Sequence, residues 1–263
     1  MDIAKSRPDD RLAPYVRHYV SRRARLGGEL VRIALPARTQ VILEFYFAAP
    51  HLVEIVSTGT RERAPTAVVV GPQTFRRVDL LLSGIVEVFT VQFTPTGLHA
   101  LFGIPMRHAI DTAMVAEDLL GAALIRPLHD RLATAPDHAA RTAICDDVLL
   151  AYRQLHRPTA TPSIASRIVA AIERGRGTAT VADLSIAAGL SPRQLRRLFD
   201  AEVGMAPKLY ARIVRLDAAL TAHRATPDRS WTDIAHDLGW FDQAHLDKDF
   251  RALAGSTPTD FPI

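Results

Sequence analysis

Two hydrophobic periods divide the chain. Between Glu29 and Phe93 the apolar positions alternate or run continuously in β-prone stretches. These are Glu29–Leu35, Gln40–Phe47, Leu52–Ser57, Thr66–Gly71, Thr74–Leu82 and Ile85–Phe93. Turn signals separate them, among them Ala49-Pro50, Thr58-Gly59, Gly71-Pro72 and Ser83-Gly84. Strands at this spacing predict a small antiparallel barrel or sandwich. Residues 1–28 read as a polar start with one short helix that begins at Pro14-Tyr15. From Pro95 the period becomes helical, over Pro95–Phe102, Ala116–Ala133 and Asp137–His156, with breaks at Gly103-Ile104-Pro105 and Pro136. The last of these is apolar on one side at Ile144, Val148, Leu149 and Tyr152. That stripe fits a homodimer seam and fits packing on the barrel equally well. RPTATP at 157–162 is proline-rich and uncharged after Arg157, as a semi-rigid linker would be. The expected fold class is α+β, with a barrel-like domain and flanking helices over 1–157, a linker at 158–162 and an all-α domain over 163–263.

Within that all-α part, Thr180 to Phe199 reads as helix, tight turn, helix. Thr180 and Asp183 make a capping-box-like start, and Val181, Leu184 and Ala188 form an apolar face. Gly189 suits a left-handed stop, Leu190 can plug the angle, and Ser191-Pro192 gives an N-cap followed by the position where proline fits a helix. In the second helix Leu195, Leu198 and Phe199 face inward, while Arg193, Arg196 and Arg197 share the outer face. A row of guanidiniums on a short, supported helix suits phosphate contact and bidentate reading of guanine. A solvated cationic face accounts for three arginines alone as well.

A repeat tips the balance. Ser230 to Phe250 carries the same landmarks in the same order, with Ser230, Asp233, Ile234 and Gly239 for Thr180, Asp183, Leu184 and Gly189. A turn one residue longer puts Asp242 at the cap, and Leu246 and Phe250 take the inward places. Gly204, Pro207 and Tyr210 lie 5, 8 and 11 residues after Phe199, and Gly255, Pro258 and Phe261 keep that spacing after Phe250. Between the units Pro207 to about Arg224 patterns as one amphipathic helix, with Leu209, Ile213, Leu216 and Leu220 apolar and Arg212 and Arg215 outward. A rod of about 25 Å would hold two recognition helices in successive major grooves about 34 Å apart.

On AAGLSPRQLRRLF, the spaced Gly204, Pro207 and Tyr210, RLDAA at 215–219 and IAHDLGWFDQAHLDKDF, residues of about 163 to 263 resemble the DNA-binding domain of the AraC/XylS family of bacterial transcription regulators. The resemblance implies base reading by Arg193, Arg196 and Arg197, with Gln194 a lesser candidate, on the first recognition helix. On the second it implies Ala244, His245 and Lys248, with Gln243 beside them. Arg212, Arg215 and Ser191 are candidate contacts to the DNA backbone. Asp247 and Asp249 flank Lys248, and a carboxylate near phosphate is repelled, so the first unit is expected to dominate affinity. More weakly, GPQTF at 71–75, VQFTPTGLHALFGIP at 91–105 and DLLGAA at 118–123 resemble a barrel-type sensor domain of one subgroup, with Thr96 where that subgroup has glycine. That resemblance implies a small-molecule effector in the barrel and dimerisation through nearby helices.

Composition adds boundaries. The chain has 263 residues, 48% hydrophobic and 23% charged, with a formal charge of +4, values of an ordinary globular protein. Residues 164–263 hold 13 Lys plus Arg against 12 Asp plus Glu, so a DNA function rests on arrangement rather than bulk charge. The single cysteine, Cys145, excludes an intramolecular disulfide framework and Cys-rich zinc sites. No signal-peptide core or membrane-length apolar run is visible, so the chain is expected to stay in the cytoplasm. The N-terminal histidines are scattered, with no His-x-His or His-x-x-x-His pair, and neither a metal nor a cofactor is expected. Glu44, on an apolar strand, is the candidate effector residue; by alternation it faces either the barrel interior or solvent. No Ser-His-Asp grouping, P-loop or GxGxxG signals catalysis. The expectation is a non-enzymatic, effector-controlled, homodimeric regulator that binds double-stranded DNA. Two alternatives remain: a cupin-like enzyme fused to a DNA-binding module, and a sensor that binds a protein partner.

Overall fold

The computed structural model describes residues 1–48, 51–156 and 162–262. The Ala49-Pro50 turn and most of the 157–162 linker lie outside the described residues.

The N-terminal part is built on ten strands: β1 (Asp2–Ser6), β2 (Val16–Arg25), β3 (Val31–Ala34), β4 (Val41–Tyr46), β5 (Leu52–Ile55), β6 (Arg61–Arg63), β7 (Ala67–Val70), β8 (Val78–Leu82), β9 (Ile85–Phe93) and β10 (Ala113–Val115). They pair antiparallel in two sheets, one ordered β1-β2-β9-β4-β7-β10 and the other β3-β8-β5-β6. Residues 1–28 depart from expectation. They form β1, a 3-10 turn at Asp10–Leu12 and β2 instead of a polar start with a helix. A shift of register between Val16 and His18 breaks the period of two, and Arg22, Arg23 and Arg25 mask a strand whose Tyr19, Val20 and Ala24 are buried. The run expected over Thr74–Leu82 begins as a strand only at Val78, because Asp111 holds Thr74 through its backbone N–H and its hydroxyl, each at 2.7 Å.

Four helices follow: α1 (Gly97–Phe102), α2 (Ala116–Leu120), α3 (Ala122–Thr134) and α4 (His138–His156). The single helix expected over Ala116–Ala133 is interrupted at Gly121, where φ is +93°. α3 and α4 cover one face of the larger sheet and share a core with it that includes Leu43, Phe45, Val69, Phe89, Val91, Ile125, Leu128, Cys145 and Leu149. β4 is therefore apolar on this face at Val41, Leu43 and Phe45, and its other face, Ile42, Glu44 and Tyr46, turns toward the space between the sheets. Ile144, Val148 and Tyr152 of α4 pack on the same core, so the apolar stripe of that helix is used within the chain.

The C-terminal part is helical: α5 (Ile164–Arg174), α6 (Val181–Ala188), α7 (Pro192–Glu202), α8 (Pro207–Ala225), α9 (Trp231–Asp237) and α10 (Gln243–Ala254). Its core gathers the repeated inward residues, Leu184, Leu195 and Phe199 with Ile234, Leu246 and Phe250, around Ile213, Leu216 and Leu220 of α8. The two parts touch. Ala37, from the segment between β3 and β4, is buried in the helical core, and its N–H donates to the Leu253 carbonyl at 2.7 Å. Glu173 of α5 accepts from Arg17 of β2 at 2.8 Å and from the Tyr210 hydroxyl at 2.8 Å. Among the described residues no helix is long and apolar enough to cross a membrane.

Candidate nucleic-acid interface and an internal cavity

Both helix-turn-helix units are fixed by local chemistry. Thr180 and Asp183 close a reciprocal capping box on α6, and Gly189 ends that helix at φ +64°, in the left-handed region. Ser191 and Gln194 close a second box on α7, with Pro192 in the first turn. In the repeat the Ser230 hydroxyl accepts from Asp233 N–H, Gly239 takes φ +76°, and Asp242 caps α10. These caps set the angle at which each second helix leaves its partner.

That geometry exposes the expected face. Arg193, Arg196 and Arg197 are exposed on α7 and form no ion pair among the described residues, while Leu195 and Phe199 are buried behind them. Gln194 is exposed too, but its side-chain oxygen accepts from the Ser191 N–H and hydroxyl at 2.9 and 2.8 Å, so both residues serve the cap. On α10 Gln243, Ala244, His245 and Lys248 are exposed and Leu246 is buried. The Gln243 side-chain oxygen accepts from the Thr232 hydroxyl at 2.8 Å, which fastens this helix to α9.

Three expectations are corrected here. Arg212 does not point outward: its guanidinium donates to Asp249 Oδ1 at 2.7 and 3.0 Å. Arg215 lies over the Trp240 ring, 4.8 Å from its centroid, donates to the Gly239 carbonyl and has its pKa lowered by burial. Asp249, in turn, is buried rather than facing phosphate, and its second oxygen accepts from Trp240 Nε1 at 2.9 Å. The amphipathic period of α8 puts both arginines outward and Asp249 stands next to Lys248 in sequence, but the second unit packs on α8 and engages all three. Thr180, Lys208, Arg212, Arg215, His245 and Lys248 line a groove between the units in which Lys208 is exposed. Lys208 was not among the expected residues; a lysine second in α8 is its sole trace in the sequence. Phe241, in the turn before α10, is 91% exposed and was also missed. An apolar ring in that position suits a thymine methyl.

The N-terminal part holds a partly open cavity of about 400 Å³ between its sheets, with Val53, Ile55, Val68, Val70, Val78 and Leu80 as its aliphatic lining. Glu44 faces it, which settles the strand alternation in favour of the interior. One Glu44 oxygen accepts from the Tyr46 hydroxyl at 2.5 Å and the other from the Thr90 hydroxyl at 3.1 Å, with Arg22 at 3.9 Å. Burial of Tyr46 raises its pKa well above the usual value, so the phenol remains a donor. Arg38, Gln73 and His51 also line the space, and burial lowers the His51 pKa, leaving a neutral imidazole at pH 7. Among the described residues no cluster of three or more His, Cys, Asp or Glu side chains is placed to hold a metal ion.

Residues 184–262 match a family model described as a helix-turn-helix domain, and residues 4–114 match one described as a domain of unknown function (DUF6597). Over 79 residues, 30% of this chain, the sequence is 35% identical to the transcriptional activator NphR of Rhodococcus sp. The matched stretch covers 23% of that relative, so the likeness is to one part of it. Among solved structures, an apo form of a ToxT point variant from Vibrio cholerae aligns with a TM-score of 0.51 at 11% identity, over 92% of this chain and 96% of that one. A second ToxT crystal form from the same organism aligns at 0.50 with 8% identity, over 92% and 97% of the two chains, and both alignments speak to the fold. The duplicated, doubly capped units and the family model over residues 184–262 together identify the C-terminal part of the chain as a helix-turn-helix domain.

Proposed function

We propose that the chain is a sequence-specific DNA-binding transcription regulator whose N-terminal part senses a small molecule. The observation that carries this reading is the exposed, unpaired trio Arg193, Arg196 and Arg197 on a helix held by caps at a helix-turn-helix. Guanidiniums so presented contact phosphate and read guanine from the major groove. His245, Lys248 and the ring of Phe241 make the second contact, and Lys208 approaches the backbone between them. α8, with 19 residues at about 1.5 Å each, is a spacer of about 28 Å, of the order needed to serve successive grooves. The first unit dominates affinity, since it offers three cations where the second offers one lysine beside Asp247. Arg212 and Arg215 act by fixing the second unit. The protein works where its DNA is, in the cytoplasm. Homodimerisation is a separate expectation that light scattering of the purified chain tests.

The ligand-sized cavity around Glu44, set between the two sheets, supports a small-molecule effector over a protein partner, because a partner would need a broad surface. Effector binding shifts the population of sensor and DNA-binding arrangements by its difference in affinity for them. Selection of bound fragments from sheared genomic DNA tests the reading: a shared sequence motif lost on Arg196→Ala and Arg197→Ala supports it, and recovery of random fragments contradicts it.

A further inference from the structure

The cavity between the sheets holds a cation that no hydrogen bond or ion pair of the described residues meets, with the Glu44 carboxylate acting on it only at longer range. Arg38 lines it, its guanidinium has no hydrogen-bond or ion-pair partner among the described residues, and its Nε is a buried donor left unmet. Beside it Gln73, 4% exposed, presents an equally unpartnered buried side-chain oxygen. The two sit opposite one another on an isolated antiparallel bridge, Arg38 N–H to the Gln73 carbonyl at 2.8 Å and Gln73 N–H to the Arg38 carbonyl at 2.9 Å. Directly opposed residues carry their side chains to the same side, so both groups enter one corner of the cavity.

The other charges around this space are already engaged or stand at its mouth. Both Glu44 oxygens accept from hydroxyls of the protein. Arg77 donates to the Asp111 carbonyl, and Glu62 and Arg63 belong to the exposed strand β6. Buried polar groups of native proteins are normally satisfied, and a buried guanidinium without a counter-ion is costly. Burial lowers the Arg38 pKa, and the attraction of Glu44, which forms no direct contact with it, opposes that shift without cancelling it. The lining also offers aliphatic surface at Val53, Val68, Val70 and Leu80.

We propose that the cavity takes a small organic acid, its carboxylate paired with the Arg38 guanidinium, a donor group on it meeting Gln73, and its hydrocarbon body lying against Val53, Val68, Val70 and Leu80. This rests on the reading of the N-terminal part as an effector domain. The guanidinium fork matches a carboxylate bidentately, and the bond is charge-assisted. The position also gives a ligand a route to the DNA-binding part. Leu35 and Arg38 line the cavity, while Ala37, between them, is packed in the helical core and bonded to the last turn of α10. A shift of Arg38 toward an anion moves that segment.

Matched pairs of acid and primary amide test this on the full chain by calorimetry, with octanoate and octanamide, and 3-phenylpropanoate and 3-phenylpropanamide. The expected result is saturable binding in which at least one acid exceeds its amide by about tenfold, equivalent to about 1.4 kcal/mol. Arg38→Gln then brings acid and amide level while amide binding persists, which shows the variant folded. Gln73→Leu weakens acids bearing a hydroxyl more than plain ones. Equal binding of acid and amide to the native chain overturns the proposal and leaves the effector cavity standing, with Arg38 then serving Glu44 at longer range. Failure of every acid, while a protein-free small-molecule extract still alters DNA affinity, overturns the acid alone; failure of both removes the effector reading as well.

Discussion

Asp249→Asn separates the sequence-based view of the second unit from the structural one. If Asp249 faced phosphate, neutralising it would raise DNA affinity. Instead it is buried and accepts three hydrogen bonds, two from Arg212 and one from Trp240. Asparagine keeps one oxygen, loses the charge, and turns an amino group toward donors. Breaking a fully buried ion pair from one side costs about 3–5 kcal/mol, and Arg212, 30% exposed, recovers part of its hydration, which leaves about 2–3 kcal/mol. Both tryptophans of the chain, Trp231 and Trp240, lie in the helical part, so their fluorescence reports its unfolding. With a urea slope of about 2 kcal/mol per molar, the midpoint falls by about 1–1.5 M. DNA affinity falls too, because α10 loses the anchor that orients His245 and Lys248. An unchanged midpoint together with tighter DNA binding would refute this reasoning.

Other expectations follow from the same contacts. Gly204 sits at φ +87°, and a Cβ there would meet the Met106 carbonyl oxygen at 2.6 Å and Ile110 at 2.8 Å. Gly204→Ala therefore loosens the seam between the two parts, seen as faster amide exchange at 106–110, with α7 itself still protected. Ser191→Ala removes a cap and lowers stability by about 1 kcal/mol in urea titration. Gln194→Ala costs a similar part of stability and leaves sequence preference unchanged in a binding-site selection, since its oxygen already serves the cap.

The helical part was legible because its information is local. Thr180 with Asp183, Ser191 before Pro192 and the two left-handed glycines specify helix ends within a few residues, and the structure places them where those signals stand, while the part of Gln194 in the second box shows only in the structure. What escaped depends on distance. Arg212 and Arg215 read as outer positions, and Asp249 as a carboxylate beside the DNA-facing Lys248, because nothing near them in sequence announces the packing of α10 on α8. β2 was hidden by three arginines whose neighbours come from other strands, Arg22 near Glu44 and Arg23 near Glu87, both at 3.9 Å. Glu44 was undecidable from alternation, since β4 is enclosed on both faces: one by helices, the other by the second sheet. Arg38 drew no notice at all, because a cation without a partner is visible only once the cavity is.

The most direct test of DNA recognition by the paired units is the salt dependence of affinity on a selected fragment, measured by fluorescence anisotropy. Log affinity should fall linearly with log salt, at about 0.9 per phosphate contact. Arg196→Ala with Arg197→Ala should flatten that slope and weaken binding more than His245→Ala with Lys248→Ala does. A slope near zero for the native chain, or a larger loss from the α10 pair, contradicts the account.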